Sequence, residues 1–306
     1  MKNLNLYFFI AFLAITFLPF FFTGCGSSDN SENEKITAGN ELESVENNID
    51  DDISEQANLL YVATLSGINL RSEPSTSGEV VDRIVYGQAV ELIRTTGIPF
   101  ESSGFSGEWT EVKYEDKQGY LFNGFLLPIE APGFNPPATL SEYFHEQLQP
   151  IGREIAQKNI DHTGNDHRDW KVISEDQLEI KGESDFFRTY REYAGGFILY
   201  EEIGYEYHAY KGFFPGLNLE QGFLLVRAMY PKFKAYEGCY LELGSMHFPK
   251  EGGALKGISM CVFTLEIGEN RSGQKFISIG NDEMGYTGLE VKEVKGGIEI
   301  KNFYAM

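Results

Sequence analysis

The chain has 306 residues, of which 42% are hydrophobic and 14% aromatic, a composition typical of packed globular protein rather than of a disordered chain. Once a leader and a linker are set aside, this length leaves material for about two domains. The formal net charge of −21 argues against nucleic acid as a partner, because phosphate binding requires clustered Lys and Arg.

The first 24 residues have the pattern of an export signal. Lys2 supplies a positive charge, and the run from Leu4 to Phe22 is almost wholly apolar. An uncleaved membrane-spanning helix is the alternative interpretation of such a run. However, Pro19 interrupts it near its end, and a cysteine follows at position 25.

The segment Phe22-Thr23-Gly24-Cys25 resembles the lipobox of bacterial lipoprotein signals, with Phe22 where Leu is usual. The resemblance implies that residues 1–24 are a cleaved signal peptide and that Cys25 is acylated. Several acyl chains would anchor the mature N-terminus in the lipid bilayer essentially permanently. We therefore expect a protein of the cell envelope, on a membrane surface that faces the periplasm or the cell exterior.

Residues 25–58 have the composition of a flexible linker. Ten acidic residues and one lysine lie between Gly26 and Asn58, and no aromatic residue does. Such a segment cannot bury enough apolar surface to fold, and its charges repel one another and extend it. The pattern predicts a tether that holds the folded domains off the membrane; an acidic recognition tail is the alternative.

Residues 59–129 predict a small all-β domain. Short apolar runs separated by turn residues are typical of strands in such a unit. The predicted strands are Leu59–Leu65, Glu79–Val85, Ala89–Thr95, Trp109–Tyr114 and Gly119–Leu127.

The segment Gly67-Ile68-Asn69-Leu70-Arg71-Ser72-Glu73-Pro74 resembles the signature of bacterial SH3-type domains, and Gly119-Tyr120-Leu121 follows in register. The resemblance implies a small barrel, whose members usually bind cell-wall peptides or proteins. Peptidoglycan or an envelope protein is therefore the expected partner. The alternation around Leu70 predicts that Asn69 and Arg71 face outward or brace a turn by hydrogen bonds.

The segment Thr95–Glu108 is longer than the family's turn at this place and carries Phe100 and Phe105. Two interpretations are open. The two rings could be the aromatic anchors of a binding loop, or they could cover the end of the barrel and pack on the second domain.

Residues 130–138 form a proline-rich connector, and residues 139–306 predict a second, β-rich domain of unknown function. Apolar residues at helical spacing from Leu140 to Ile155 predict one helix, with a capping box at Thr139 and Glu142 and a kink at Pro150. A second short helix is expected around Ser184–Tyr193. The predicted strands are Lys171–Ile173, Gln177–Lys181, Gly196–Tyr210, Gly222–Tyr230, Ala235–Leu243, Gly257–Ile267, Gln274–Ile279, Leu289–Val294 and Gly297–Tyr304.

The expected fold class is therefore mainly β: a small SH3-like barrel followed by an α+β domain dominated by antiparallel sheet. Alternation places Cys239 and Cys261 on the inward faces of two of these strands, and a hairpin about Lys250 would set them opposite each other. In an oxidising compartment this pair predicts a disulfide. Two buried, inert thiols are the alternative.

No catalytic constellation and no cofactor motif is evident in the sequence. The segment Asp161–Asp169 holds two His and three Asp, but its spacing is not distinctive of a metal site, and a polar loop is the preferred interpretation. Neither Cys239 nor Cys261 begins a helix, where a thiolate would be activated.

The tyrosine-rich segment from Tyr200 to Tyr210 is the best ligand surface that the C-terminal sequence offers, with Tyr200, Tyr205 and Tyr207 as contact residues. A half-buried strand explains the same pattern equally well. The leading functional hypothesis is a non-enzymatic, membrane-anchored lipoprotein that binds cell-wall material or an envelope protein. A cell-wall hydrolase using carboxylates or a metal, and a surface interaction or structural lipoprotein, are the alternatives.

Overall fold

The computed structural model describes residues 58–148, 154–158, 160–161, 171–172, 187–203, 206–283 and 286–305, with backbone only from 154 to 190. All of them fall within one compact unit. The expected signal peptide, Cys25 and nearly all of the acidic linker therefore lie outside the described residues. Within these ranges, no helix combines the length and the apolar character needed to cross a bilayer.

The first part of the described chain is a seven-stranded antiparallel sheet in the order β3-β2-β6-β5-β4-β1-β7. It surrounds a small core of Val62, Leu70, Ile84, Val90 and Val112 with Leu121 and Leu126. The predicted SH3-like barrel is thus confirmed. Its strands are β1 (Leu59–Val62), β2 (Ile68–Arg71), β3 (Val80–Ile84), β4 (Ala89–Ser102), β5 (Phe105–Tyr114), β6 (Lys117–Phe122) and β7 (Leu126–Leu127).

The insert at Thr95–Glu108 is a β-hairpin that extends β4 and β5 beyond the barrel. Ser102 pairs with Phe105, so the loop between them has two residues, Ser103 and Gly104. Both have positive φ, 52° and 82°, as the tight turns that suit a twisted hairpin require. A Cβ on Gly104 would stand 2.5 Å from the carbonyl oxygen of Phe248, so the turn also needs glycine for its close approach to the second half of the chain.

The second half is built on a nine-stranded antiparallel sheet in the order β16-β17-β18-β19-β20-β13-β12-β11-β8. The predicted dominance of antiparallel sheet is confirmed. Two two-stranded ribbons, β9 with β10 and β14 with β15, accompany it. The strands are β8 (Glu154–Lys158), β9 (Ile160–Asp161), β10 (Lys171–Val172), β11 (Phe187–Tyr193), β12 (Ile198–Ile203), β13 (Tyr207–Pro215), β14 (Phe233–Tyr236), β15 (Cys239–Leu241), β16 (Gly253–Lys256), β17 (Val262–Glu269), β18 (Lys275–Asn281), β19 (Tyr286–Val294) and β20 (Gly297–Ala305).

Two helical segments pack against this sheet. The first, α1 (Leu140–Glu142), begins with the predicted capping box, in which Thr139 and Glu142 satisfy each other's backbone N–H groups. It continues as a π-helix over Tyr143–Gln147. The second, α2 (Leu219–Met229), also has a capping box, formed by Asn218 and Gln221.

Several sequence-based element assignments are wrong. The first helix does not continue to Ile155, because Glu154–Lys158 is the edge strand that pairs with β11. The helix predicted around Ser184–Tyr193 is wrong over its described part, since Phe187–Tyr193 forms β11 between two strands. Gly222–Tyr230 is not a strand, because α2 occupies it. The segment Gln177–Lys181 lies outside the described residues.

The predicted single strand Gly196–Tyr210 is instead parts of two paired strands. Ile203 at the end of β12 lies opposite His208 of β13, and the register continues to Ile198 opposite Phe213. The strands around Gly257–Ile267, Gln274–Ile279, Leu289–Val294 and Gly297–Tyr304 are present with shifted ends. Ala235–Leu243 is not one strand, because the chain turns at Glu237 and Gly238 and its two sides pair as β14 and β15.

The barrel and the nine-stranded sheet share one hydrophobic core. Phe105, Phe122 and Leu127 of the barrel belong to the same buried cluster as Phe223 of α2 and Phe263 of β17. Polar contacts accompany it: the Ser106 N–H donates to Glu220 Oε2 at 2.8 Å, and the Phe248 N–H donates to the Ser103 carbonyl oxygen at 2.9 Å. The barrel therefore packs against the rest of the chain over a buried interface and is not joined to it by the connector alone.

Cys239 and Cys261 form a disulfide, with their Cα atoms 5.8 Å apart. The predicted hairpin about Lys250, which would set the two cysteines opposite each other, is wrong, because β15 and β17 are not neighbours in one sheet. Instead the bond ties the β14–β15 ribbon to the chain just before β17. The Ile258 N–H donates to the Tyr240 carbonyl oxygen at 2.7 Å beside it.

Candidate functional site in the groove of the barrel

A groove of about 400 Å³ lies on the barrel where the turn after β1 meets the base of the long hairpin. This volume is within the range of small-molecule and short-peptide sites, about 300–1,000 Å³. The lining residues come from the β1–β2 turn, from β2, β3 and the loop between them, from the long hairpin, and from the end of β6 with the turn after it. They are Ser66, Gly67, Ile68, Asn69, Arg71, Thr76, Arg83, Phe100, Ser102, Trp109, Phe122 and Phe125.

Four aromatic rings form the floor of this groove. Phe100 lies 5.1 Å from the ring centroids of both Trp109 and Phe122, and Phe122 lies 5.0 Å from that of Phe125. Trp109 and Phe122 are buried, whereas Phe100 is half-buried at the surface of the group. Tilted and edge-to-face rings at these distances stabilise one another, so the floor is rigid.

Two arginines stand at the polar side of the groove. Arg71 Nη1 donates to the Gly78 carbonyl oxygen at 2.7 Å, and Arg83 Nη2 donates to the Ser66 carbonyl oxygen at 2.6 Å. These bonds brace the turns on either side of β2 and leave further N–H groups of each guanidinium for other acceptors. Within the described part of the chain, no carboxylate forms an ion pair with either arginine.

The local sequence explains this arrangement. In β2 the alternation buries Leu70 in the barrel core and exposes Asn69 toward solvent. Gly67 has a φ of 73°, and a Cβ there would stand 2.7 Å from the Ile84 carbonyl oxygen, so only glycine allows β2 to turn this close to β3. An aromatic floor beside free guanidinium donors can hold an extended peptide by ring contacts and by hydrogen bonds to its carbonyl or carboxylate oxygens.

The structure separates the two phenylalanines of the insert. Phe100 is part of the groove floor. Phe105 has no exposed surface and packs between Phe223 and Phe248, at centroid distances of 6.3 and 5.5 Å. Phe105 therefore joins the barrel to the second half and does not offer its ring to a ligand.

The tyrosine-rich segment does not form one exposed row. Tyr200 is 2% exposed and packs with Ile198, Phe213 and Val294, and its hydroxyl donates to Glu202 Oε2 at 3.0 Å. Tyr207 is half-buried at the start of β13. Tyr205 lies outside the described residues.

Metal-binding geometry is not found in the described part of the chain, where no group of three or more His, Cys, Asp or Glu side chains is suitably placed. The His and Asp side chains of the Asp161–Asp169 segment lie outside that part. Cys25 does as well, so its expected acylation stays a prediction.

Sequence reasoning did not single out Arg83 or Trp109 as contact residues. Trp109 lies in the predicted strand Trp109–Tyr114 and Arg83 in the predicted strand Glu79–Val85, but nothing in the sequence assigned a contact role to either residue. What the sequence does not contain is the register of the long hairpin, in which Phe100 lies opposite Gly107 and its ring lies 5.1 Å from that of Trp109.

Residues 66–126 match the bacterial SH3 domain family, and every residue that lines the groove falls within this stretch. No curated protein and no solved structure matches the chain. The match covers the groove and leaves β1 and the nine-stranded sheet outside it. Residues 66–126 therefore form a bacterial SH3 domain within a longer chain.

Proposed function

We propose that this chain is a non-enzymatic cell-envelope lipoprotein whose SH3 domain binds the peptide part of the cell wall. The observation that carries the proposal is the groove of the bacterial SH3 domain, with its aromatic floor and two arginines that pair with no described carboxylate. In a chain with a net charge of −21, two such arginines at one groove are suited to an acceptor-rich ligand.

The proposed anchor is acylated Cys25, at the end of the lipobox-like segment. The disulfide between Cys239 and Cys261 supports an exported protein, because disulfides persist chiefly in oxidising compartments outside the cytoplasm. The acidic linker would then carry the SH3 domain away from the membrane surface toward the wall.

Binding can be tested by co-sedimentation of residues 26–306 with purified, insoluble peptidoglycan. We expect Arg83→Glu to lower the retained fraction by about tenfold, because it replaces a groove cation with a repelling carboxylate. Lys113→Glu is the matched control: Lys113 is also exposed on the barrel, but it lies outside the groove. No retention of the unsubstituted chain, or an equal loss in both variants, would contradict the proposal.

The anchor is tested separately by intact mass analysis of protein purified from membranes. We expect a chain that begins at residue 25 and carries diacylglycerol and fatty acid on that cysteine. A chain that still begins at Met1, or an unmodified thiol at position 25, would contradict the proposed anchor and leave the wall-binding groove to be judged on its own.

A further inference from the structure

A second and larger cavity, of about 1020 Å³, lies between the barrel and the second half of the chain. Its walls come from the β1–β2 turn, the proline-rich connector, the end of α2 and the segment Glu242–His247. Most of the exposed lining surface is apolar, as is usual in ligand sites at domain boundaries, and its larger side chains are Leu65, Phe125, Phe134, Met229 and Tyr230. We call this cavity the junction cleft.

The junction cleft adjoins the groove of the SH3 domain. Ser66 and Phe125 line both cavities. The two cavities are therefore adjacent on the protein surface, so a ligand in the groove lies within reach of the junction cleft. Only the groove lies wholly within the SH3 domain.

Arg227 of α2 is the main polar group in the junction cleft. Its Nη2 donates to the Gly244 carbonyl oxygen at 2.8 Å, and its guanidinium carbon stands 5.3 Å from the centroid of the Phe105 ring. Its Nε is buried without a hydrogen-bond partner. The buried Nε is closed to a ligand, so the N–H groups that remain for one are those of Nη1 and the second N–H of Nη2.

The charge around Arg227 favours an anion. Lys232 and His247 also line the cleft, and among the described lining residues Glu242 is the one with a carboxylate. No described carboxylate forms an ion pair with Arg227. Burial lowers the pKa of Arg227 to about 10, so the guanidinium is still protonated at neutral pH. The Arg227 guanidinium is planar, oriented and charged. Its geometry matches that of a carboxylate, which it can bind through two parallel hydrogen bonds.

We infer that the junction cleft is a carboxylate subsite, in which Arg227 receives the free carboxylate of a peptide whose body lies in the SH3 groove. This inference rests on the proposed function and extends it: the ligand is a peptide with a free carboxylate end, and a residue outside the SH3 domain selects it.

The test uses two peptides that differ in one group. The stem peptide Ala-D-Glu-Lys-D-Ala-D-Ala is prepared as the free acid and as the C-terminal amide, and each is titrated into residues 26–306 by calorimetry. We expect the acid to bind about tenfold more tightly than the amide, because the amide cannot accept two charge-assisted bonds.

Arg227→Gln is expected to lower the affinity for the acid to that of the amide and to leave the amide affinity within about twofold. Lys295→Gln is the matched control, because Lys295 is an exposed cation at the β19–β20 turn outside both cavities. Arg227 also packs on Phe105, so a second variant guards against misfolding: Ser245→Trp fills the cleft from its exposed rim and should also abolish the difference between the two peptides.

The outcomes separate this inference from the proposed function. Equal affinity of the acid and the amide, or an acid preference that survives both Arg227→Gln and Ser245→Trp, overturns the carboxylate subsite and leaves wall binding intact. Retention on peptidoglycan without measurable binding of either peptide also overturns the subsite. Absence of retention on peptidoglycan overturns the proposed function and the subsite together.

Discussion

Tyr86 is a single residue that ties the barrel to the connector. Its hydroxyl donates to the Pro132 carbonyl oxygen at 2.6 Å, and its ring lies 5.5 Å from that of Phe134. Burial raises the pKa of this phenol well above its ordinary value, so the hydroxyl keeps its proton in the folded state at pH values where an unfolded tyrosine loses it.

Tyr86→Phe should lower the free energy of unfolding by about 1 kcal/mol at pH 7, because it leaves a carbonyl without its donor. The raised pKa sets the pH dependence. The stabilisation by the Tyr86 hydroxyl is present below about pH 10 and declines above it, because the unfolded phenol ionises there and the folded one does not. The difference between wild type and variant should therefore narrow above pH 10.

Urea unfolding at pH 7 and at pH 10.5 measures both effects. Tyr114→Phe is the control, since no hydroxyl hydrogen bond of Tyr114 is found in the described part of the chain, and its change should stay within about 0.5 kcal/mol at pH 7. Equal stability of wild type and Tyr86→Phe at pH 7 would contradict the role of the hydroxyl.

Single residues also show which features of the structure could be predicted from the sequence. The burial of Leu70, the exposure of Asn69 and the bracing bond of Arg71 follow from alternation and turn chemistry, which are local. The burial of Phe105 does not, because it depends on Phe223 and Phe248, more than 100 positions away in the chain. Phe100 and Phe105 lie five positions apart and could not be distinguished from the sequence, yet Phe105 is fully buried and Phe100 is half-buried.

At the scale of elements, α2 shows why one helix was mistaken for a strand. Eight of its eleven residues are buried, and its three polar residues, Glu220, Gln221 and Arg227, are too few to mark a clear helical period in the sequence. The capping residues Asn218 and Gln221 were the local signal for a helix start. The reverse error at Phe187–Tyr193 has another cause: pairing with β8 and β12 decides that segment, and such pairing is not local.

Because of the packing of α2 on the sheet, we expect Gly222→Ala to lower the free energy of unfolding rather than to raise it. Gly222→Ala in a helix interior ordinarily stabilises by up to about 1 kcal/mol. Here the added methyl would stand 2.3 Å from Ile298 Cδ1 and 2.6 Å from Val291 Cγ1, and both residues are buried in the core. We expect a loss of about 1–3 kcal/mol instead. A gain in the midpoint of thermal unfolding would contradict this packing.

The disulfide also acts between elements, because it joins the β14–β15 ribbon to the start of β17. It closes a loop between positions 22 apart, which on the chain-entropy model corresponds to about 3 kcal/mol. The double variant Cys239→Ala with Cys261→Ala should lose about that much in urea unfolding, and dithiothreitol should destabilise wild type but not the variant. Two alkylatable thiols in unfolded, unreduced wild-type protein would show that the bond is absent.

At the scale of the whole molecule, the barrel depends on the rest of the chain. Phe105, Phe122 and Leu127 are buried against the second half, and an isolated barrel of about 70 residues has a marginal core even when complete. The composition predicted two parts, and the SH3 signature identified the first. The sequence offered packing of the insert's phenylalanines on the second domain as one of two interpretations, but it could not decide between them, since the contacts join residues far apart in the chain.

A fragment of residues 58–129 should therefore unfold with little or no cooperativity, whereas residues 58–306 should unfold cooperatively. Circular dichroism on heating and the dispersion of amide resonances measure the difference. A fragment as stable as the longer chain would show that the shared core contributes nothing to the barrel.

The most direct test of wall recognition is amide chemical-shift mapping of residues 26–306 with soluble peptidoglycan fragments. The groove predicts perturbations at Ser66–Arg71, Phe100 and Trp109, with Val80 and Val81 on the exposed edge strand β3 unchanged. Perturbations confined to Val80 and Val81 or to the nine-stranded sheet, or none at saturating ligand, would contradict binding in the SH3 groove.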